Sequence, residues 1–254
     1  MSSALRLPGQ GSPLGSHRPD TSMGAAVRTM FAAVAHRYDF LNHFLSLGCD
    51  IAWRRATARA LKAILARPGS RVLDLCCGTG DLSFCLGHQS QGLVMGADFC
   101  RPMLAIARRK AETRSGGIQF LEADALSLPF GEASLDAVTS AFGFRNLANY
   151  DQGIEEMRRV LKIGGCLAIL EFSQVRWPVF GPVFRFYFRR VVPRLGGWIS
   201  GVEGPYRYLP DSVSLFPDQE ALAAKLRSGG FCNVRYVNFT GGVAALHLAE
   251  KSSE

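Results

Sequence analysis

The chain has 254 residues, enough for one sizeable α/β core or a core with a small cap. It is 48% hydrophobic and 20% charged, ordinary for a soluble protein, and the lack of any run of about 18 uncharged apolar residues argues against a spanning helix. A net charge of +8 points to an acidic partner, whether nucleic acid, an anionic membrane surface or a phosphorylated ligand, without choosing among them.

Residues 1–22 are rich in Ser, Gly, Pro and Arg, with Asp20 the only acid. They lack the apolar stretch of a secretory signal and read as a disordered leader. Residues 23–254 then read as a single domain. From Val27 to Leu65 apolar residues recur at helical spacing (Phe31, Val34, Tyr38, Leu41, then Trp53, Leu61 and Ile64), so two or three helices are expected, punctuated around 46–50 and closed by Pro68-Gly69. The period then changes. Arg71–Leu75 is a short β-type run, followed by Cys-Cys-Gly-Thr-Gly-Asp and a helix over Leu82–Leu86. Strands are expected at Leu93–Asp98, Ile118–Glu122, Leu135–Ala141 and Cys166–Phe172, with helices at Pro102–Thr113 and Gly153–Leu161 between them and Gly164-Gly165 turning into the last of these strands. Strands alternating with helices mean a doubly wound, mostly parallel sheet. Residues 174–216 interrupt this with a Pro/Gly-punctuated, aromatic and arginine-rich insert. The last helix, Gln219–Ser228, precedes the strands Asn233–Phe239 and Val243–Glu250, which form an antiparallel hairpin about Thr240-Gly241-Gly242.

Seven cysteines form no CxxC pair and no zinc-like cluster with histidine, so no metal site is expected. They read as small buried hydrophobes in a reducing, cytoplasmic setting.

The chemistry is concentrated at the first turn. A strand carrying Asp74 delivers Gly78-Thr79-Gly80 into a helix, and the glycines permit a tight turn and a close ligand. Asp98, at the next strand end, lies 18 residues past Gly80, the spacing at which an acid meets a bound ribose. Asp74, Asp98 and Asp124 are all expected at carboxyl ends of neighbouring strands. A dinucleotide and S-adenosylmethionine both fit this plan. In place of G-x-G-x-x-G the sequence continues Gly80-Asp81-Leu82-Ser83, and Asp81 would repel a pyrophosphate at the helix N-terminus. The cationic sulfonium and ammonium of S-adenosylmethionine instead favour an acid there.

Val72-Leu73-Asp74-Leu75-Cys76-Cys77-Gly78-Thr79-Gly80-Asp81-Leu82 resembles the opening of class I S-adenosylmethionine-dependent methyltransferases. More narrowly, the chain from Met30 to Lys251 is similar to the menaquinone/ubiquinone biosynthesis C-methyltransferases. The strings that carry this include Tyr38-Asp39-x-x-Asn42, Leu128-Pro129-Phe130, Phe142-Gly143-Phe144-Arg145-Asn146, Leu170-Glu171-Phe172-Ser173, Tyr206-x-Tyr208-Leu209 and Thr240-Gly241-Gly242-Val243-x-Ala245-Leu246-His247. Two departures stand out: Cys76 where many relatives have a glycine, and Ile163 where a proline is usual. The resemblance implies a Rossmann-like, seven-stranded sheet and cofactor contacts at Thr79, Asp98, Asp124, Ala125 and Ser140, beside Asp74, Gly78 and Gly80 from the turn. It implies C-methylation of a prenylated quinol, with demethylmenaquinol ahead of the ubiquinone precursor, and puts Arg145 at the deprotonation step. A guanidinium is a poor base, so its expected role is support of a phenolate or of a relaying water; the plain alternative is an ion pair with an acid such as Asp151. Tyr38, Asp39, Tyr206 and His247 are further candidates for the pocket, His247 reading more readily as core.

The insert 174–200 holds five arginines and no acid, interleaved with aromatics, as an interfacial membrane helix would, or as an ordinary cap. Its crowded aromatics suit a nucleic-acid groove less, so no nucleic-acid partner is expected; peripheral membrane contact and a homodimer are both admitted. The rival functions are methylation of another small molecule and a non-catalytic cofactor-binding module.

Overall fold

The computed structural model describes residues 29, 38–114, 117–175, 180–200 and 204–253. The leader, Phe31, Val34, Arg176 and Trp177 lie outside them. The helices α1 (Tyr38–Leu45), α2 (Cys49–Ala60) and α3 (Lys62–Leu65) precede β1 (Arg71–Leu75), α4 (Asp81–Gly87), β2 (Leu93–Asp98), α5 (Arg101–Thr113), β3 (Gln119–Glu122) and β4 (Leu135–Ala141). Then come α6 (Tyr150–Val160), β5 (Leu161–Phe172), α7 (Phe180–Phe186), α8 (Val192–Ser200), α9 (Gly204–Leu215), α10 (Gln219–Ser228), β6 (Phe231–Phe239) and β7 (Ala244–Lys251). A π-helical turn, Tyr187–Val191, joins α7 to α8.

Seven strands form one sheet in the order β3-β2-β1-β4-β5-β7-β6. β1 pairs parallel with β2 (Leu73 beside Met95) and with β4 (Leu73 beside Val138), whereas β7 runs antiparallel to both β5 and β6. The expected doubly wound sheet with a closing hairpin is what forms. Strand alternation sends side chains to two cores. Leu73 and Leu75 of β1, with Leu167 and Ile169 of β5, pack against Ile154 and Met157 of α6 and Leu222 and Leu226 of α10. Val72, Ala168 and Leu170 face the other way, onto Trp53 and Ala58 of α2 and Leu82 and Leu86 of α4.

Three expectations need correction. β5 begins at Leu161, directly after α6, and the pair Gly164-Gly165 lies inside it as an irregularity where the pairing with β4 shifts register; Gly164 takes φ +71° there. A β-bulge accommodates glycine without ending the strand. The cysteines were expected to be buried; only Cys100 is, Cys232 is exposed, and the other five are intermediate. α6 also starts earlier than its apolar pattern suggests, because the Asn149 side chain accepts from the Asp151 and Gln152 N–H groups at 3.1 Å and caps the helix.

The sheet reverses its winding between β1 and β4, so the loops after those strands diverge and leave a crevice at their carboxyl ends. The polar residues described next converge there.

Candidate active site

One wall of the crevice is the turn after β1. Cys76, Gly78 and Gly80 all take left-handed φ angles, +55°, +56° and +89°. Cys76 thus pays the steric cost of a conformation that glycine adopts freely, of order 1–2 kcal/mol. Asp98 holds the turn in place: its carboxylate accepts from Gly78 N–H at 2.8 Å and Cys100 N–H at 2.8 Å while lining the crevice. A carboxylate pinned by backbone donors is aimed, and here it can accept from ribose hydroxyls. Asp74 lies below, wholly buried, accepting from the hydroxyls of Ser83 (2.6 Å) and Thr139 (3.0 Å). Burial pushes its carboxyl up to about 7, against the opposing pull of those two hydroxyls. Burial likewise holds the Cys76 and Cys77 thiols well above their usual range, so neither is a thiolate nucleophile.

α1 is tied across this turn by a run of charges. The Thr79 hydroxyl donates to Asp39. Lys110 bridges Asp39 (2.5 Å) and Asp81 (3.1 Å), and His43 Nε2 stands 3.5 Å from Asp81. Asp81 lines the crevice as an acid, but with a lysine and a histidine against it. Its repulsion of a phosphate is correspondingly weaker than the bare sequence implies.

The opposite wall is the turn after β4. Phe142 also takes a left-handed φ, +60°, and Gly143 packs so closely on β1 that a Cβ there would lie 2.3 Å from the Cys76 Cβ. Arg145 follows, buried, its guanidinium 2.7 Å from Glu171 and 5.5 Å from the Phe172 ring centroid. Glu171 also accepts from the backbone N–H groups of Arg145 and Phe172. Burial raises the Glu171 carboxyl even though Arg145 opposes the shift. Arg145 is therefore ion-paired, with Glu171 rather than Asp151, which instead meets Lys225 at 2.5 Å. Removing one member of a buried pair costs about 3–5 kcal/mol because the other charge is stranded.

Beside the crevice lies an apolar cavity of about 370 Å³. An aromatic row lines it: Trp53 packs on Phe142 (6.1 Å between centroids), Phe142 on Phe172 (4.7 Å), Phe172 on Phe188 (5.8 Å) and Phe188 on Phe184 (5.3 Å). The insert helices supply Val183, Phe184, Tyr187, Phe188 and Val192. Crevice and cavity share two lining residues, Arg54 and Phe142, with the Arg54 guanidinium 5.2 Å from the Phe142 ring centroid. A second bridge is polar: Tyr208, in the cavity wall, donates to Asn146, in the crevice wall, at 2.9 Å.

Of the residues singled out from sequence, Asp74, Gly78, Thr79 and Asp98 line the crevice, Gly80 forms its turn, and Arg145 lines the cavity. Asp124, Ala125 and Ser140 are not among the crevice-lining residues. Asp124 is exposed beyond β3 with its carboxylate on Leu126 N–H at 2.9 Å; Ala125 is in the core; Ser140 is buried in β4. His247 is a core residue, its Nε2 2.8 Å from the Gln219 carbonyl. The side chains of Tyr38 and Tyr206 lie outside the described part of the structure. The sequence reading passed over Asp50, Arg54, His43 and Glu171. A signal existed for two of them: Asp50 and Arg54 are oppositely charged at i,i+4 on a helix that also buries Trp53, Thr57 and Ala58.

A family model described as the ubiE/COQ5 methyltransferase family matches residues 20–251. A demethylmenaquinone methyltransferase of Thermus thermophilus is 53% identical over 223 residues, 87% of this chain and 100% of that protein. One of Deinococcus radiodurans is 49% identical, covering 90% of this chain and 93% of that protein. A ubiquinone/menaquinone biosynthesis C-methyltransferase UbiE of Rhizobium leguminosarum is 42% identical over 89% of this chain and 88% of that protein. Among solved structures, a SAM-dependent methyltransferase from Aquifex aeolicus superposes with a TM-score of 0.56 at 20% identity, covering 76% of this chain and 88% of that one. A Haemonchus contortus phosphoethanolamine N-methyltransferase, in complex with S-adenosylhomocysteine, has a TM-score of 0.56 at 15% identity, covering 78% of this chain and 52% of that one. These two likenesses bear on the fold alone.

Proposed function

The chain belongs to the ubiE/COQ5 methyltransferase family, and from that membership we propose that it moves a methyl group from S-adenosylmethionine to a ring carbon of a prenylated quinol, demethylmenaquinol first. The observation that carries the proposal is the meeting of crevice and apolar cavity at Arg54 and Phe142. A prenylated ring seated in the cavity has its edge at that junction, within reach of a donor held in the crevice. The residues there fit the donor. Asp98 offers a pinned carboxylate for a ribose, and the left-handed turn at Gly78 brings bare backbone to the crevice. Thr79 and Asp39 close the turn under α1. When bound, S-adenosylmethionine supplies an electrophilic methyl on a sulfonium whose leaving group is a neutral thioether. The aromatic row excludes water, and Arg145, held by Glu171, presents a guanidinium edge to a ring oxygen as it gains charge. The relatives of higher identity carry the demethylmenaquinone name alone, which favours that ring over the benzoquinol.

We further propose that the cavity mouth rests on a lipid surface. Leu47 and Val183 line the cavity and are 83% and 65% exposed; Phe186 and Trp198 are likewise exposed on the insert. Arg185, Arg189, Arg190 and Arg194 are exposed among them. Exposed apolar side chains set among cations suit an anionic interface. The same face would pair poorly with its own copy in a homodimer, since a two-fold axis would bring guanidiniums toward guanidiniums. No helix among the described residues is long and apolar enough to cross a membrane.

The test of the reaction is methylation of a short-tailed demethylmenaquinol analogue by the purified protein with S-adenosylmethionine, read by mass spectrometry. One added methyl on a ring carbon is expected, and cofactor binding without transfer overturns the reading. In cells, deleting the gene should accumulate demethylmenaquinone. For the lipid contact, Trp198→Ser with Arg190→Glu should abolish cosedimentation with anionic vesicles while sparing turnover of the short-tailed analogue; unchanged cosedimentation overturns it.

A further inference from the structure

We infer that Asp50 is the proton acceptor for the ring hydroxyl and that Arg54 receives the phenolate so formed, with His43 carrying the proton away. This rests on the quinol reading above. Asp50 is the one carboxylate among the described residues that line the apolar cavity; Glu171 is buried behind Arg145 and lines neither space. Arg54, one helical turn on, lines both cavity and crevice, so it stands where ring and donor must meet. Four groups define the acid's surroundings. The Asp50 carboxylate accepts from the Arg54 guanidinium and from the Ser46 hydroxyl at 2.7 Å, its Oδ2 lies 2.7 Å from His43 Nδ1, and His43 Nε2 faces Asp81 at 3.5 Å. The chain Asp50–His43–Asp81 therefore runs from the cavity wall to the crevice edge, where Lys110 and Asp39 continue it.

The arrangement answers a difficulty that Arg145 leaves open, since a guanidinium cannot take a proton. Burial by itself would raise the Asp50 carboxyl, but Arg54, Ser46 and His43 outweigh it and hold the group low. A ring oxygen approaching Arg54 competes with Asp50 for the same guanidinium. As Arg54 turns to the oxygen, Asp50 loses the charge that keeps it ionised, and burial then favours its protonated form. Proton and guanidinium change places between the two oxygens, and no unpaired charge is left in an apolar space. The hydroxyl proton passes to Asp50; His43, as the Nε2–H tautomer, takes it at Nδ1 and gives up its Nε2 proton toward Asp81 and solvent, leaving a phenolate on Arg54. The ring carbon takes the methyl group, and the electron pair of the broken C–S bond stays on sulfur. The carbon then loses its own hydrogen as a proton to Asp50, which returns it to the ring oxygen and restores the aromatic hydroxyl. One proton is released per methyl group transferred.

The experiment uses two demethylmenaquinol analogues, one bearing an electron-withdrawing substituent that makes its hydroxyl more acidic. The wild-type protein is assayed first; if it methylates neither, the quinol reading fails, not this one. With the ordinary analogue, Asp50→Asn should slow single-turnover methylation by about 10²–10⁴-fold with S-adenosylmethionine affinity unchanged. With the acidic analogue at least tenfold of that loss should be recovered, because the proton no longer needs a strong acceptor. His43→Gln, a half-exposed site, should show a smaller loss with the same recovery. Equal losses on both analogues, or no loss, would overturn the assignment. Should Asp50→Asn fail to bind S-adenosylmethionine, His43→Gln decides, and a loss independent of acceptor acidity refutes the relay.

Discussion

The crevice and the apolar cavity touch at Arg54 and Phe142 but are built by opposite means. The crevice is backbone: two left-handed turns at the ends of adjacent strands, pinned by one carboxylate. Its shape follows from where the sheet reverses, so short contiguous motifs encode it. The cavity is side chain, assembled from α1, α2, the ends of β4 and β5, the insert and the hairpin turn. A backbone site tolerates little change at a few positions, and a side-chain site tolerates more change spread over many.

The sharpest way to break that contrast is Asp98→Ala. It removes both the tie on the Gly78 and Cys100 N–H groups and the proposed ribose acceptor, so S-adenosylmethionine affinity should fall at least 100-fold, about 3 kcal/mol, by titration calorimetry. Affinity unchanged within threefold would remove Asp98 from the site. Next in size is Gly143→Ala, whose methyl would lie 2.3 Å from the Cys76 Cβ. Crowding of that kind costs about 1–3 kcal/mol. Cys76→Gly removes the opposing carbon and relieves a left-handed residue, so the double variant should regain most of the loss in thermal unfolding. Additive effects would show that the two turns do not press on one another. On the cavity side the effect should be milder: Phe188→Leu, between Phe172 and Phe184 in the aromatic row, should raise the quinol KM several-fold with S-adenosylmethionine binding untouched. A change in cofactor affinity instead would mean that the two spaces are one.

The same contrast decides what was legible in the sequence. β1, β2, β4 and α10 begin and end where the apolar patterns place them, because each is a buried or amphipathic run bounded by turn residues. The places of Gly78, Thr79 and Asp98 in the crevice wall were legible because each is local to one turn or the strand end beside it. The local role of Asp124 was not legible: a carboxylate just past a strand also serves its own turn, and here it accepts from Leu126 N–H. The Arg145–Glu171 pair was not legible because its members, 26 residues apart, meet only when β4 and β5 lie side by side. The same holds for Asp50 and His43, seven residues apart across the bend between α1 and α2.

The smallest functional effect, and the last test of the crevice as a rigid backbone site, comes from its floor. Asp74 has its carboxyl raised to about 7 by burial. An acid whose folded value lies above its unfolded one binds protons more tightly when folded, so stability is greatest below the unfolded value near 4 and falls as pH rises toward 7. Above that the loss is complete and the curve flattens. Asp74→Asn keeps an acceptor for one of the Ser83 and Thr139 hydroxyls but cannot ionise. Its melting temperature, measured without ligand, should lack the decline that the wild type shows between about pH 4 and 7. Parallel curves for the two proteins would mean that Asp74 is ionised throughout this range and that the crevice floor is wetter than its burial implies. A flattened curve with unchanged turnover would place Asp74 among the groups that hold β1, α4 and β4 together beneath the turn, apart from those that touch the donor.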